Sequence, residues 1–255
     1  MSILLGKVLV TGAVEVKTGL RVGGTSGGLK IGGVDLPVIT DPWGRPYLPG
    51  SSLKGKMRSL VEKKEGVPVE KGQHRCRNEA DYRRCPVCPV WGTLPDKDFT
   101  GLSLTRLLVR DTFLDETSIT GEMGKNLDLK WTEVKVETAI DRSKGSALNK
   151  SLRQIERVPA GGRFSPCEII FNIFEEGDKD LFKKIFEALL LVEDDYLGGM
   201  GSRGYGKVAF TQMKIFWNRR GDYETGSVNQ KQLNGTADTP ALILKDFENI
   251  KKQLT

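Results

Sequence analysis

The chain has one histidine and four cysteines in 255 residues, and no apolar run near the ~18 residues of a membrane span. With a single imidazole, which is better used beside three of the cysteines, no nucleophile–histidine–acid triad can be assembled. The missing apolar run argues against a membrane protein. There is no internal repeat, no low-complexity tract and no clear interdomain linker, which disfavours repeat arrays and disordered scaffolds. The opening MSILLGKVLVTG is not a signal peptide, because its apolar part is short and broken by Gly6 and Lys7. It reads as a strand, and the protein reads as cytoplasmic with no membrane partner.

What is present describes a soluble globular protein: 38% hydrophobic residues, a mean hydropathy of −0.33 and enough length for a real core. Net charge is +6 and the isoelectric point about 9.1, which points to an anionic partner, the placement of charge mattering more than its sum. Half of the thirty glycines fall in two places. The first is the stretch 18–58, TGLRVGGTSGGLKIGGVDLPVITDPWGRPYLPGSSLKGKMR, which has too few large apolar residues to be core and too much punctuation to be disorder. It carries Asp35 between Val34 and Leu36-Pro37, and Asp41 in a turn before Pro42.

Taken in order, residues 4–17 alternate, with Val8, Val10, Val14 and Val16 on one side, and predict a half-buried strand. The glycine-rich stretch ends in Pro49-Gly50-Ser51-Ser52, a serine-capped helix start. Leu53, Met57, Leu60 and Val61 form its buried stripe to about Lys64. Lys54, Lys56 and Arg58 project from the first turns, and with the helix dipole they suit a phosphate. Residues 66–100 hold little regular structure. A strand is expected over 102–113, then a polar, charged segment over 114–163. Within it, 132–140 and 151–158 read as a hairpin tipped by DRSKGSALNKS. Next come a strand over 166–174, a helix over 178–195 with an Asp178 cap, the second glycine-rich loop LGGMGSRGYGKV, and a strand over 206–217. The tail is polar over 218–238 and then forms a helix capped by Thr239, with Leu242, Phe247 and Ile250 inward. Strand, helix, strand, strand, helix, strand is the ferredoxin-like (RRM-like) α+β order, here with large inserts. The organisation expected is one domain over 1–217, with inserts at 66–100 (a lid) and 114–163 (a thumb), then a polar linker and C-terminal helix over 218–255.

Three groups of residues carry chemistry. His74, Cys76, Cys85 and Cys88 give H-x-C-x8-C-x2-C, a four-ligand set for structural zinc in a segment too polar to build its own core. With four protein ligands there is no open position, so a catalytic zinc is not expected. Cys167 reads as a buried small hydrophobe. The second glycine loop runs from helix to strand, the reverse of a dinucleotide fingerprint, so it reads either as a close backbone approach to a phosphate chain beside Arg203 and Lys207 or as a tight helix-to-strand turn. The hairpin segment has Arg142, Lys144, Lys150, Arg153 and Arg157, on a protruding arm suited to something long and charged.

IGGVDLPVITDP, YLPGSSLKGKMR, the HxC…CxxC insert and LGGMGSRGYGKV, in this order over roughly residues 5–215, resemble the RAMP-superfamily backbone subunit of type III-A CRISPR effector (Csm) complexes. The resemblance implies a ferredoxin-like fold with a metal-bearing lid and a thumb hairpin, stacked with other copies into a helical filament on guide CRISPR RNA, beside other effector subunits. It implies an endoribonuclease that cuts guide-paired target RNA at regular intervals. Asp35 matches the family's essential acid, and Lys54 and Arg58 match guide-backbone contacts. Arg21, Ser51, Ser52, Arg142, Lys144, Arg203 and Lys207 complete the RNA-binding set. Relatives often carry a histidine where this chain has Arg21, which favours a transition-state cation there. A lone carboxylate near its usual pKa of about 4 is a poor base, so binding or orienting Mg2+ or another divalent cation is the expected role of Asp35. The alternatives are a non-catalytic RNA-binding scaffold, the equivalent type III-B subunit, and a small zinc-containing metabolic enzyme that binds a nucleotide.

Overall fold

The computed structural model describes residues 3–24, 33–93, 105–233, 235 and 237–255. Residues 25–32, including Ile31 and Gly32 of the first glycine motif, and residues 94–104, including the end of the lid and the start of the strand expected over 102–113, lie outside the described residues.

The alternating valines form β1 (Gly6–Val16). It is the third strand of a five-stranded antiparallel sheet that also holds β2 (Leu107–Val109), β3 (Arg163–Ile173), β4 (Val208–Arg219) and β5 (Lys231–Gln232), in the order β5-β4-β1-β3-β2. Cross-strand rows build the core face: Val8 lies between Phe171 and Trp217, Val10 between Ile169 and Ile215, and Val14 between Phe164 and Phe210. Helices α1 (Gly50–Glu65) and α2 (Lys183–Asp194) cover this face with Leu53, Met57 and Val61 from one, and Ile185, Phe186, Leu189 and Val192 from the other. The opposite face keeps Lys7, Leu9, Glu168, Ile170 and Asn218 around a cleft of about 310 Å3.

Both helix starts differ from expectation. Helix α1 has no serine cap: Pro49 is the N-cap residue, and the Gly50 N–H donates to Asp111 Oδ1 at 2.8 Å. A carboxylate from another segment thus sits at the positive end where a phosphate was expected. Asp178 does not cap either. A short turn, Asp178–Leu181, starts at Gly177 and leads through Phe182 into α2. The fully buried Asp178 carboxylate accepts the N–H groups of Phe174 (2.8 Å) and Glu175 (3.2 Å) and bonds Arg106 Nε. A buried charge needs such partners, and here they come from upstream of the turn rather than from it.

Residues 218–255 do more than link. A short helix, Arg220–Thr225, follows β4, and β5 then pairs with β4 at the sheet edge. Helices Pro240–Lys245 and Phe247–Lys252 bury Ile243, Phe247 and Ile250 in the main core, while Leu242 is 43% exposed. The Thr239 cap is present, its Oγ1 accepting from the Leu242 N–H at 3.4 Å. Phe182 is the junction, its ring 5.6 Å from Phe171, 5.0 Å from Phe186 and 6.0 Å from Phe247.

The segment 114–163 contains the expected hairpin. Strands Glu133–Glu137 and Arg153–Arg157 are antiparallel, and a second small ladder, Ile140–Asp141 with Ser146–Ala147, extends to the tip. Its base is held on Tyr205, which is buried and flanked by the cations Lys135 (4.7 Å from the ring centroid) and Arg157 (4.9 Å). The Tyr205 hydroxyl donates to Glu137 Oε1 at 2.8 Å, and Arg157 bonds Glu133 at 2.7 Å. Burial, and then the Glu137 carboxylate, push the Tyr205 phenol up to about 12.

Phe182→Ala opens a cavity among three aromatic rings; we expect a loss of about 3–5 kcal/mol and a melting temperature lower by roughly 6–20 °C in a thermal scan. Tyr205 supplies a pH dependence. Its folded-state pKa lies above the unfolded value of about 10, so its contribution is intact below pH about 10 and is lost as pH rises towards about 12. Thermal melts across that window should show the loss in the wild type and a flatter profile in Tyr205→Phe.

Candidate nucleic-acid interface and metal centre

Residues Thr18–Arg21 run between the second glycine loop and the base of the hairpin. On one side Leu20 and Val158 exchange backbone hydrogen bonds of 2.9 and 2.8 Å. On the other, Gly206 N–H donates to Gly19 O (3.1 Å), Gly199 N–H to Arg21 O (2.9 Å), and Lys207 N–H to Thr18 Oγ1 (3.0 Å). Two of the loop's glycines leave no room for a side chain, Gly198 because of this approach and Gly206 because the loop folds back on its own backbone. Gly198 and Gly206 have φ of +77° and +79°, and a Cβ there would lie 2.3 Å from Arg21 O and 2.1 Å from Leu197 O. Helix α1 reaches the same loop: Lys56 Nζ lies 3.6 Å above the Tyr196 ring, whose face packs on Gly201.

Asp35 lies in a bend just before Leu36, which forms a parallel bridge with Ile155 of the hairpin. Leu36 N–H donates to Gln154 O (3.1 Å), and Glu156 N–H donates to Leu36 O (3.0 Å). The exposed Asp35 carboxylate accepts the Gln154 N–H through Oδ2 at 2.8 Å, and Oδ1 has no hydrogen-bond partner among the described residues. The group is therefore oriented by main chain yet keeps one oxygen open. Arg21 lies beside it, its Nε donating to Leu36 O at 3.4 Å, with its terminal nitrogens near Gly23 and Gly199. Tertiary structure thus gathers Arg21, Asp35, the hairpin and the second glycine loop into one region.

The other sequence-selected cations divide into two sets. Arg142 and Lys144 are exposed in the tip turn, which is held by Asp141 Oδ1 accepting from Ser143 N–H (2.9 Å) and Lys144 N–H (3.3 Å). Arg203 and Lys207 are exposed on the glycine loop. Glu137, Thr138, Ala139, Ser151, Arg153 and Arg203 line a cleft of about 400 Å3 between loop and hairpin, with Arg203 3.7 Å from Glu137. The hydrogen bond from Tyr205 holds the Glu137 carboxyl below its usual range. Lys54 and Arg58 instead face inward from α1. Lys54 Nζ donates to Leu107 O at 2.9 Å, and burial, with Arg58 nearby, pushes its pKa down. Arg58 pairs with Glu62 (2.7 Å) and donates to Gly92 O (2.9 Å) and His74 O (2.7 Å). Ser51 is exposed and Ser52 half-buried at the start of the same helix.

The Arg58 bonds fasten the insert that holds His74, Cys76, Cys85 and Cys88. All four are buried, and their ligand atoms lie within 4.8 Å of one another, so together they could hold a metal ion. His74 Nδ1 is 2.8 Å from Pro68 O, a contact that assigns the proton to Nδ1 and leaves Nε2 facing the sulfurs, 3.2 Å from Cys85 Sγ. The hydrogen bond from the Cys88 thiol, followed by the Cys88 and Val87 N–H groups, lowers the pKa of the Cys85 thiol. A buried thiolate with backbone donors and an imidazole nitrogen beside it is the donor set of a soft or borderline cation. Two short helices, Glu79–Arg84 and Cys88–Trp91, frame the set. Arg106 anchors them to the core through Tyr82 OH (3.2 Å), Pro89 O (3.4 Å) and Asp178.

Sequence reasoning did not select Tyr205, Glu156 or Arg106. For Tyr205 there was a signal, an aromatic set between two glycines of the loop. For the others nothing local separates them from ordinary surface charges.

The RAMP superfamily model matches residues 13–209. The CRISPR system Cms endoribonuclease Csm3 of Methanocaldococcus jannaschii is 44% identical over 229 residues, 90% of this chain and 88% of that protein. The protein of the same name from Streptococcus thermophilus is 38% identical over 231 residues, 88% of this chain and 96% of its own. A crystal structure of the Csm3–Csm4 subcomplex in the type III-A CRISPR-Cas interference complex contains a chain with a TM-score of 0.60 and 31% identity, the match covering 96% of this chain and 97% of that one. With three quarters of its length inside one family model and full-length relatives above 30% identity, the chain belongs to the RAMP superfamily, among its Csm3 proteins.

Proposed function

We propose that this chain is the guide-RNA-binding backbone subunit of a type III-A CRISPR interference complex and the endoribonuclease that cuts guide-paired target RNA, with Asp35 as its essential acid. The observation that carries the assignment to Asp35 is its exposed carboxylate, fixed by one oxygen to the hairpin main chain and open at the other. The names of the relatives supply the reaction class. The strand order β4-β1-β3-β2 under two helices supports a ferredoxin-like core, with a zinc-bearing lid over 66–100 and a thumb over 114–163. Copies of the subunit, other effector subunits, guide RNA and target RNA are its partners, in the cytoplasm.

RNA carries its own nucleophile. When the backbone is held in line, the 2′-oxygen attacks the adjacent phosphorus, loses its proton, and displaces the 5′-oxygen, which takes one up. Alignment of this kind is worth ~7–11 kcal/mol in the most favourable cases. The thumb and the glycine loop supply it by gripping the strand on both sides of the cut, with exposed Arg142, Lys144, Arg203 and Lys207 on phosphates, which favours any sequence equally. Arg21, next to the Asp35 segment, is placed to meet charge growing on the phosphate. A divalent cation at the open oxygen of Asp35 would neutralise a phosphate oxygen there. Ser51, Ser52, Lys54 and Arg58 form the guide side of the helix, Lys54 and Arg58 acting in the free chain through the contacts that seat the helix and the lid.

In assembled complexes, Asp35→Ala is expected to slow target cleavage by at least about a hundredfold with target binding unchanged; cleavage at the wild-type rate would leave only a scaffold role. His74, Cys76, Cys85 and Cys88 are expected to hold one zinc per chain. Metal analysis of Cys88→Ser should show that zinc lost, and limited proteolysis should then cut first within 66–93.

A further inference from the structure

We infer that Glu156 is a positioning residue for the Asp35 carboxylate, binding the segment that carries Asp35 to both strands of the thumb so that hairpin and acid move as one body. The inference rests on the reading of Asp35 given above.

Glu156 is 9% exposed and has no cationic partner among the described residues. Its two oxygens are used separately. Oε2 accepts the Val38 N–H at 2.9 Å, and Oε1 accepts the Thr132 hydroxyl at 2.7 Å. Val38 lies three residues beyond Asp35, and Thr132 immediately precedes the strand Glu133–Glu137. Glu156 itself belongs to the partner strand Arg153–Arg157. One carboxyl group therefore joins three segments that are distant in sequence, and Val38 and Thr132 are both buried around it. An apolar residue here would leave a buried N–H and a buried hydroxyl unpaired, a costly arrangement where two polar groups have no water to turn to.

The joint complements the main-chain bonds. Leu36 N–H to Gln154 O, Glu156 N–H to Leu36 O and Gln154 N–H to Asp35 Oδ2 hold the near end of the segment, and Glu156 holds the far end. A segment tied at both ends cannot swing about Asp35. Displacement of a base by the thumb and presentation of the acid to the neighbouring phosphate are then a single motion. That links cleavage to correct seating of the target, because an acid displaced by about 1 Å loses most of its effect.

The test is single-turnover cleavage by assembled, guide-loaded complexes, with target affinity measured alongside. Glu156→Ala should lower the cleavage rate about tenfold to a hundredfold and leave the dissociation constant within about twofold. Glu156→Gln should cut within about threefold of wild type, since its amide oxygen can accept from Val38 and its NH2 can donate to the Thr132 oxygen. Thr132→Val, which keeps the shape and removes one bond, should fall between them. A wild-type rate in Glu156→Ala, equal losses in the Ala and Gln variants, or a parallel loss of target binding would each overturn the positioning role. Asp35→Ala, run beside them, separates the two ideas. If it cuts normally, the reading of Asp35 fails and this inference falls with it. If it is inactive while Glu156→Ala cuts normally, only the positioning role fails.

Discussion

The backbone of Thr18–Arg21 lies within hydrogen-bonding reach of two segments more than a hundred residues away, the hairpin base at Val158 and the glycine loop at Gly199–Lys207. The rest of the candidate site depends on that contact. The ribbon buries Leu20 in the core and is paired at both edges, and the close pairing at Arg21 is possible because Gly198 brings backbone where a side chain would collide. Remove the close approach and Arg21, the Asp35 segment and the hairpin have no common frame.

Electrostatics divides the cations between architecture and surface. Arg58 and Arg106 are spent on carbonyls and carboxylates that fasten the cysteine-bearing insert to α1 and to the start of the second helical region. Lys54 lies half-buried against Leu107. Arg142 and Lys144 stay exposed on the projecting hairpin tip and Arg203 and Lys207 on the glycine loop, and Arg153 and Arg203 line the cleft between loop and hairpin. Net charge alone says nothing of this partition, since burying a guanidinium among acceptors and exposing one to solvent count equally in the sum.

Much of the fold was legible because it rests on short-range patterns. The period-two valines of β1, the apolar stripes of the two helices and the turn chemistry of Thr239-Pro240 are local, and the structure has them. The errors lie where a distant group competes for a local role. Asp111 takes the N–H expected for a serine cap, Arg106 draws Asp178 inward, and Ile243 replaces Leu242 because the last helix is rotated to meet the core beside Phe247. The polar stretch 218–238 gains a strand from the free edge of β4, something no composition argument could supply.

The sequence by itself determined which chemistry was available: one imidazole near three thiols, a lone acid in a glycine-rich loop, a basic hairpin, and the alternation that makes a half-buried sheet. These follow from residue type and spacing, which act over a few bonds. Only the tertiary structure decided which of those groups meet, because meeting depends on backbone pairing between segments far apart in the chain. It turned Arg58 from the exposed face of a helix into a clamp, brought the main chain of Gln154 to Asp35, and gave an unremarked Glu156 a place between them.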